Sequence, residues 1–264
     1  MQKVLVTGMS GLLGSLLRER VGDRYDLRAL NRGDIPGVPT YRADVGDLDA
    51  IAPAFEGIDV VVHLAGSMAT DDYWPELLNT NIAGLYNVYE AARLAGVPRI
   101  VFASSTSNVS NYRTEEPWKA IVEGRYHDVP VPWPIVGIDW PVRPASLYAC
   151  TKVWGEAIAR YYADAHGIAS ICLRIGMVNV EDRALNVPKD YASWCSQEDC
   201  AQALELSLDN PPKEKFTVLH VLSRSNWGFR DLGHGKKVLG FDPISEAGDP
   251  ALSLVRRGTP PSRS

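Results

Sequence analysis

The chain is poor in the features that would place it outside the ordinary soluble globular proteins. It has four cysteines in 264 residues, and none sits in a Cys-x-x-Cys or Cys/His ligand spacing. A disulfide framework and a zinc cluster are therefore not expected, nor is any other metal site. Cys150, Cys172, Cys195 and Cys200 read as reduced thiols of a cytoplasmic protein. No apolar run approaches the length that spans a membrane. No basic cluster offsets the net charge of −5, which argues against nucleic acid or an anionic membrane as a partner. Internal repeats and low-complexity tracts are missing too. Lys3 leads straight into the first apolar run, so no signal peptide is expected. What is present, 45% hydrophobic and 22% charged residues, suits one large α/β core with a small appended lobe.

The clearest positive feature is Val4-Leu5-Val6-Thr7-Gly8-Met9-Ser10-Gly11-Leu12-Leu13-Gly14. A β-branched run gives way to three glycines spaced three apart, then to a helical pattern of Leu12, Leu13, Leu16, Leu17 and Val21. A strand, a tight turn and an amphipathic helix are predicted. Gly8 allows the turn, Gly11 lets the backbone approach a pyrophosphate, and Gly14 lets helix pack on strand. The helix N-terminus then offers unpaired N–H groups and partial positive charge to the phosphates. The alternative is a glycine-rich turn that holds no ligand.

Short apolar segments at 3–7, 27–31, 40–43, 60–64, 100–104 and 170–175 alternate with helical patterns at 12–21, 48–55, 79–94, 146–165 and 197–208. Strands that are apolar without alternation suit burial on both faces, so a doubly wound parallel sheet is predicted. The 111–144 stretch breaks the rhythm, carrying Trp118, Trp133 and Trp140 among six prolines. Its aromatics favour an ordered lid over a linker, with a structural excursion as the alternative. The tryptophans suit stacking on a substrate or sealing a protein contact equally well. The 177–194 stretch follows a strand, where open α/β sheets place substrates. A dinucleotide-binding domain is expected over 1–176. A small substrate lobe interleaved with the core is expected over 177–264, with a disordered tail from about 256.

Tyr148 and Lys152 form a Tyr-x-x-x-Lys pair in a helical pattern, so both side chains project from one face. A tyrosine is a poor base at neutral pH, and a neighbouring ammonium group is expected to lower its pKa and make it a general acid/base. Ser104 and Ser105, at a strand end, reach the same crevice, or else cap the following turn. The second strand ends in Asn31-Arg32, where a carboxylate would bind the ribose of NAD. An arginine there leans towards NADP, with a solvated surface charge as the alternative. His63 reads as a core residue, and His234 is isolated. Glu198 and Asp199 suit the start of a helix.

Thr7-Gly8-x-x-Gly11-x-x-Gly14, Asp44-Val45, Leu64-Ala65-Gly66, Asn81, Ser104-Ser105 and Tyr148-x-x-x-Lys152 stand in one order. In that order the chain, over about residues 1–205, resembles the extended short-chain dehydrogenase/reductases, which have a Rossmann fold. The resemblance implies that Ser105 positions a substrate oxygen and Tyr148 exchanges its proton. Lys152 would hold the nicotinamide ribose, and Asn81 would support a proton relay. Ser10, Leu12, Asn31, Arg32, Asp44, Val45, Leu64, Ala65, Gly66 and Ile175 would border the NAD or NADP. Within the group the chain is similar to the uronate dehydrogenases in Leu85–Arg93, Val101–Ser105, Leu173–Gly176 and Ser193–Asp199. It departs from them where Thr106-Ser107 replaces Asn-His and where Met68 and Met177 stand at positions expected to be serine. Both methionines make the expected substrate pocket more apolar. Arg183 is offered as the grip on a substrate carboxylate. A dehydrogenase acting on a small sugar-like or secondary alcohol substrate is the leading expectation, and the short C-terminal stretch favours a small substrate. A sugar epimerase/dehydratase that borrows and returns the hydride is the alternative, then a non-catalytic dinucleotide sensor. A homodimer is left open.

Overall fold

The computed structural model describes residues 1–69, 73–185 and 187–248. The chain runs β1 (Lys3–Thr7), α1 (Leu12–Val21), β2 (Asp26–Asn31), β3 (Thr40–Arg42), α2 (Leu48–Ile51), β4 (Val60–His63), α3 (Trp74–Glu76) and α4 (Gly84–Ala95). It continues through β5 (Arg99–Ser105), α5 (Trp118–Glu123), α6 (Leu147–His166), β6 (Ala169–Ile175), α7 (Pro188–Tyr191), α8 (Gln197–Asp209), β7 (Phe216–Val221) and α9 (Gly233–Leu239).

Successive side chains of a strand point to opposite faces, and this divides the core in two. Val4 and Val6 pack with Val62, Val101, Leu173 and Leu219 on the face that α1 and α8 cover. Leu5 joins Val61, Ile100 and Phe102 on the other face, under Val88 and Tyr89 of α4 and Ile158 and Tyr162 of α6. With helices on both sides, neither face can be polar, which is why the strands read as unbroken apolar runs. All the strand pairs are parallel, in the order β3-β2-β1-β4-β5-β6-β7. The order reverses between β1 and β4, so a crevice opens beyond their carboxyl ends.

The predicted doubly wound α/β sheet is present, with one addition. Sequence periodicity misses β7, because Thr217 and His220 interrupt its apolar run. That strand and α8 both come from beyond residue 176, and α8 locks onto α1 through Arg20 to Glu198 (2.5 Å) and onto the turn after α1 through Arg24 to Asp209 (2.8 Å). Asp199 does more than start a helix. Its buried carboxylate accepts from Ser223 Oγ (2.5 Å) and Ile244 N (2.7 Å), tying α8 to the segments after β7. The helix expected at 79–94 begins earlier, at Trp74, and passes through a π-helical turn over Leu77–Ala83. The tail expected to be disordered, 256–264, lies outside the described residues.

The tryptophan stretch is ordered by its own aromatic packing. Trp118 and Trp140 meet edge to face at 5.8 Å, and both meet Tyr112. Trp133 stacks on Trp227, and Val136, Ala192 and Phe229 complete a small satellite core. The rings pack against one another and against Trp227 and Phe229. Among the described residues, no helix is long and apolar enough to cross a membrane.

The three glycines of the first turn behave differently. A Cβ on Gly14 would lie 2.4 Å from Met9 Cα and 2.6 Å from Met9 O, backbone atoms that cannot swing away. A Cβ on Gly11 would meet only Gly8 O, at 3.4 Å. Gly14→Ala is therefore expected to destabilise the fold by about 1–3 kcal/mol. Gly11→Ala is expected to stay within about 1 kcal/mol of the parent, while weakening dinucleotide binding. Thermal unfolding and a dinucleotide titration of both variants check this pair of outcomes.

Candidate active site

Helix α6 starts where Ser146 accepts a hydrogen bond from Ala149 N (3.1 Å), and it carries Tyr148, Lys152 and Glu156 at four-residue spacing. Four residues make slightly more than one turn, so all three face the carboxyl ends of β5 and β6. Glu156 is the anchor. It is buried, and Arg174 of β6 donates to it twice, through Nε and Nη2, both at 2.8 Å. Ser104 Oγ (2.7 Å) and Asn108 Nδ2 (2.8 Å) donate to the same carboxylate. One side chain thus joins α6, β5, β6 and the turn after β5.

Lys152 sits one turn before it, also buried, and donates to Ala103 O at 2.8 Å. Its ammonium lies over the Phe102 ring at 5.0 Å and the Tyr148 ring at 5.7 Å. Burial pulls the lysine down to about 8. Tyr148 moves the other way from the sequence expectation. Burial raises its phenol above the ordinary value, and only the neighbouring Ser105 hydroxyl opposes this. Desolvation of the ring sets the direction of the shift. The pair is therefore tuned by its surroundings more than by mutual attraction.

Asn81 lies in the π-helical turn and is fully occupied. It accepts from Ser67 N (2.8 Å) and donates to Ser67 O (2.9 Å) and Thr151 Oγ1 (3.0 Å). A methyl added at Gly66 would come within 3.4 Å of Lys152 Nζ and 3.6 Å of Asn81 Oδ1, so the three form one packed corner. His63 is a core residue, as expected. It pairs with Thr7 Oγ1 at 2.8 Å, and burial holds its pKa near 3.

These groups open onto a cleft of ≈840 Å³. Gly8, Gly11, Leu12 and Gly14 line one end, and Leu64, Gly66, Ile175, Lys152, Tyr148 and Ser105 line the middle. Thr106, Ser107, Met68 and Met177 line the remainder, Met68 at the rim with 83% exposure. Ser105 Oγ also accepts from Ser107 N (3.1 Å), so it caps the turn as well as facing Tyr148. Ser104, by contrast, is spent on Glu156.

Other expected residues fall outside the lining. Ala65 N is bonded to Thr7 Oγ1. Val45 is buried against Gly84, and Asp44 is exposed and caps Gly46 N at 2.8 Å. Ser10 pairs with Asn31 (3.2 Å), and Arg32 is exposed with no ion pair among the described residues. Arg183 lies outside the lining and is exposed; among the described residues its hydrogen bonds are those of its backbone with Asn179 (2.8 and 3.2 Å), whereas Arg113, Lys189 and Arg230 bring positive charge to the cleft. Sequence reasoning missed Glu156, although a third residue at the Tyr148–Lys152 spacing marks it. Arg230 carries no such local signal.

Residues 4–179 match the model of the NAD dependent epimerase/dehydratase family. The chain belongs to that family. It is 33% identical over 255 residues to a uronate dehydrogenase of Agrobacterium fabrum, covering 94% of this chain and 86% of that one. It is 31% identical over 256 residues to an L-arabinose 1-dehydrogenase (NAD(P)(+)) of Haloferax volcanii, covering 92% and 96%. A crystal structure of a uronate dehydrogenase mutant from Agrobacterium tumefaciens complexed with NAD superposes with a TM-score of 0.77 at 29% identity, covering 100% of this chain and 92% of that one. Family membership fits the first turn of α1, where Gly11 is the N-cap, no side chain caps the helix, and Gly11 and Leu12 line the cleft. Open amides at a helix start suit a dinucleotide's phosphates.

Glu156→Gln leaves Arg174 buried without a counter-charge. We expect a loss of about 3–5 kcal/mol, read as a lower denaturant midpoint; a variant as stable as the parent would show that the pair does not hold α6 to the sheet.

Proposed function

We propose that this family member is an NAD(P)-dependent dehydrogenase that oxidises a secondary alcohol or cyclic hemiacetal of a small sugar, with Tyr148 as general acid/base. One observation carries the reading: Tyr148 and Ser105 sit side by side in the cleft that also contains the glycine turn, with Lys152 buried behind them. The Ser105 hydroxyl holds the substrate oxygen. The Tyr148 phenolate takes the proton from it, and the reverse reduction returns it. Because burial disfavours the phenolate, the free ring is strongly basic once deprotonated, and Lys152 stabilises the charge as it forms. Lys152 itself, held near 8, stands close to working pH and can pass a proton on; Asn81, packed beside it, supports that relay. When bound, a nicotinamide supplies the hydride acceptor, and Gly8, Gly11, Leu12 and Ile175 would border it.

Residues 1–176 supply the dinucleotide half, and those from 177 onward, interleaved with the same core, contribute most to the substrate end. Met68, Met177, Thr106 and Ser107 shape that end. Arg32, exposed beyond Asn31 and without an ion pair among the described residues, suits a 2′-phosphate, so both cofactors serve and NADP is preferred.

Tyr148→Phe is expected to lower kcat by about 10²–10⁴-fold while the dinucleotide Kd barely moves. Turnover is followed by nicotinamide absorbance with uronates and neutral sugars, together with a binding titration. Near-parental turnover in this variant would overturn the assigned role. Stoichiometric accumulation of reduced cofactor separates a dehydrogenase from an epimerase, which returns its hydride. For the cofactor, Arg32→Glu is expected to shift the NADP/NAD ratio of kcat/KM about 10-fold towards NAD; an unmoved ratio would make Arg32 a plain surface charge.

A further inference from the structure

One wall of the cleft has little packing to hold it. Met177, Val178, Asn179, Val180 and Glu181 follow β6 and line the cleft. Val180 is 81% exposed, and Glu181, Asp182 and Arg183 are exposed as well. Apolar burial therefore does little to hold residues 180–183, and hydrogen bonds decide their shape. Asn179 closes the turn from within, donating to Arg183 O (2.8 Å) and accepting from Arg183 N (3.2 Å). Asp182 N donates to Asn179 O at 3.3 Å. Among the described residues other than glycine, Asp182 alone has a positive φ, 47°. Aspartate tolerates this left-handed backbone better than most residues, yet such a conformation persists only where neighbours fix it.

The neighbour that fixes it is Gln197, the first residue of α8. Its main-chain N–H donates to Asp182 Oδ1 at 2.8 Å. Its side-chain amide donates to Asn179 O (2.9 Å) and, at longer reach, to Val180 O (3.4 Å). Among the described residues, Gln197 supplies the hydrogen bonds that join residues 179–183 to the rest of the chain. Gln197 is itself held from the other side. Ser196 N donates to Ser223 Oγ (2.8 Å), Ser196 Oγ accepts from Asp199 N (2.9 Å), and Ser223 donates to Asp199 Oδ2 (2.5 Å). The exposed turn is thus referenced to the buried end of β7. A glutamine amide suits the task because the turn offers it carbonyl oxygens, which need a donor. A glutamate of the same size would have no donor and would oppose Asp182 with like charge.

We propose that Gln197 is a positioning residue for the substrate end of the cleft. Through Asn179, Val180 and Asp182 it holds the 179–183 turn as a finished wall, so it sets the affinity for the sugar and leaves the chemical step alone. Without Gln197 the turn samples other shapes, and the apparent dissociation constant rises by the inverse of the competent fraction. Tyr148, Lys152 and Ser105 stand on α6 and β5, so their geometry does not depend on the turn. The sugar as the bound molecule rests on the proposed function; the grip of Gln197 on the turn does not.

Trypsin reads the turn directly, because Arg183 is exposed within it and is followed by Ala184. The full-length parent and its Gln197→Ala, Gln197→Glu, Asp182→Ala and Asp182→Asn variants are digested briefly, and the fragment ending at Arg183 is followed by mass spectrometry. Both Gln197 variants are expected to release it about 10-fold faster, as the open population grows when a pair of hydrogen bonds is lost. Cleavage elsewhere and Tm stay parental, which separates a loosened turn from a destabilised fold. Asp182→Asn keeps an acceptor and tolerates the left-handed backbone, so it is expected to be cut at the parental rate. Asp182→Ala is expected to follow the Gln197 variants. In turnover with galacturonate or galactose, KM rises about 10-fold in the Gln197 variants while kcat stays within about 2-fold. Parental cleavage after Arg183 in both Gln197 variants would overturn the grip on the turn. Faster cleavage with an unchanged KM, or a fall in kcat alone, would overturn its role in the site. A protein that reduces neither cofactor with any sugar would sink the dehydrogenase reading, and the Arg183 fragment would then decide the grip by itself.

Discussion

The ion pair between Glu156 and Arg174 is where the helix of the active site is fastened to the sheet. A carboxylate taken out of water is costly unless its lone pairs are satisfied, and this one accepts from Arg174 twice, from Ser104 and from Asn108. The partners come from two adjacent strands and from the turn after β5, so the pair sets the rotation of α6 and the position of the β5 end at once. Tyr148 and Lys152 follow from it, because they lie two turns and one turn earlier on the same helical face. Ser105 follows as well, being the neighbour of Ser104. The geometry between phenol and serine is therefore inherited from a salt bridge that touches no substrate.

Burial then decides how the fastened groups titrate. It lowers Lys152 to about 8, raises Tyr148 and drives His63 to about 3. In each case the uncharged form is favoured, as expected where apolar walls replace water. The same walls make Arg230 conspicuous, since arginine cannot relieve its burial by losing a proton at ordinary pH.

Much of the fold was legible because its physics is local. Double burial makes β1, β4 and β5 unbroken apolar runs, and the glycine turn announces the crossover to α1. What escaped was non-local. β7 carries Thr217 and His220 and becomes a strand only because β6 presents it with an edge. The tryptophans of 111–144 looked available for a ligand, since nothing in the linear chain shows that Trp227 and Phe229, about a hundred residues on, close over them. Arg183 looked placed for a carboxylate by its position after β6, yet its loop turns it to solvent.

By itself, the sequence determined the family, the parallel sheet, the glycine turn after β1 and the candidate set of Ser105, Tyr148 and Lys152, all of which depend on short spacings and on apolar runs. Only the tertiary structure decided which charges are paired. Glu156 and Arg174 lie eighteen residues apart and meet across a helix and a strand. Arg230 is brought to the cleft by the packing of Val136 and the aromatic satellite. Spacing along a chain encodes which face a side chain shares with its near neighbours, whereas charge compensation is a property of what the fold packs around it.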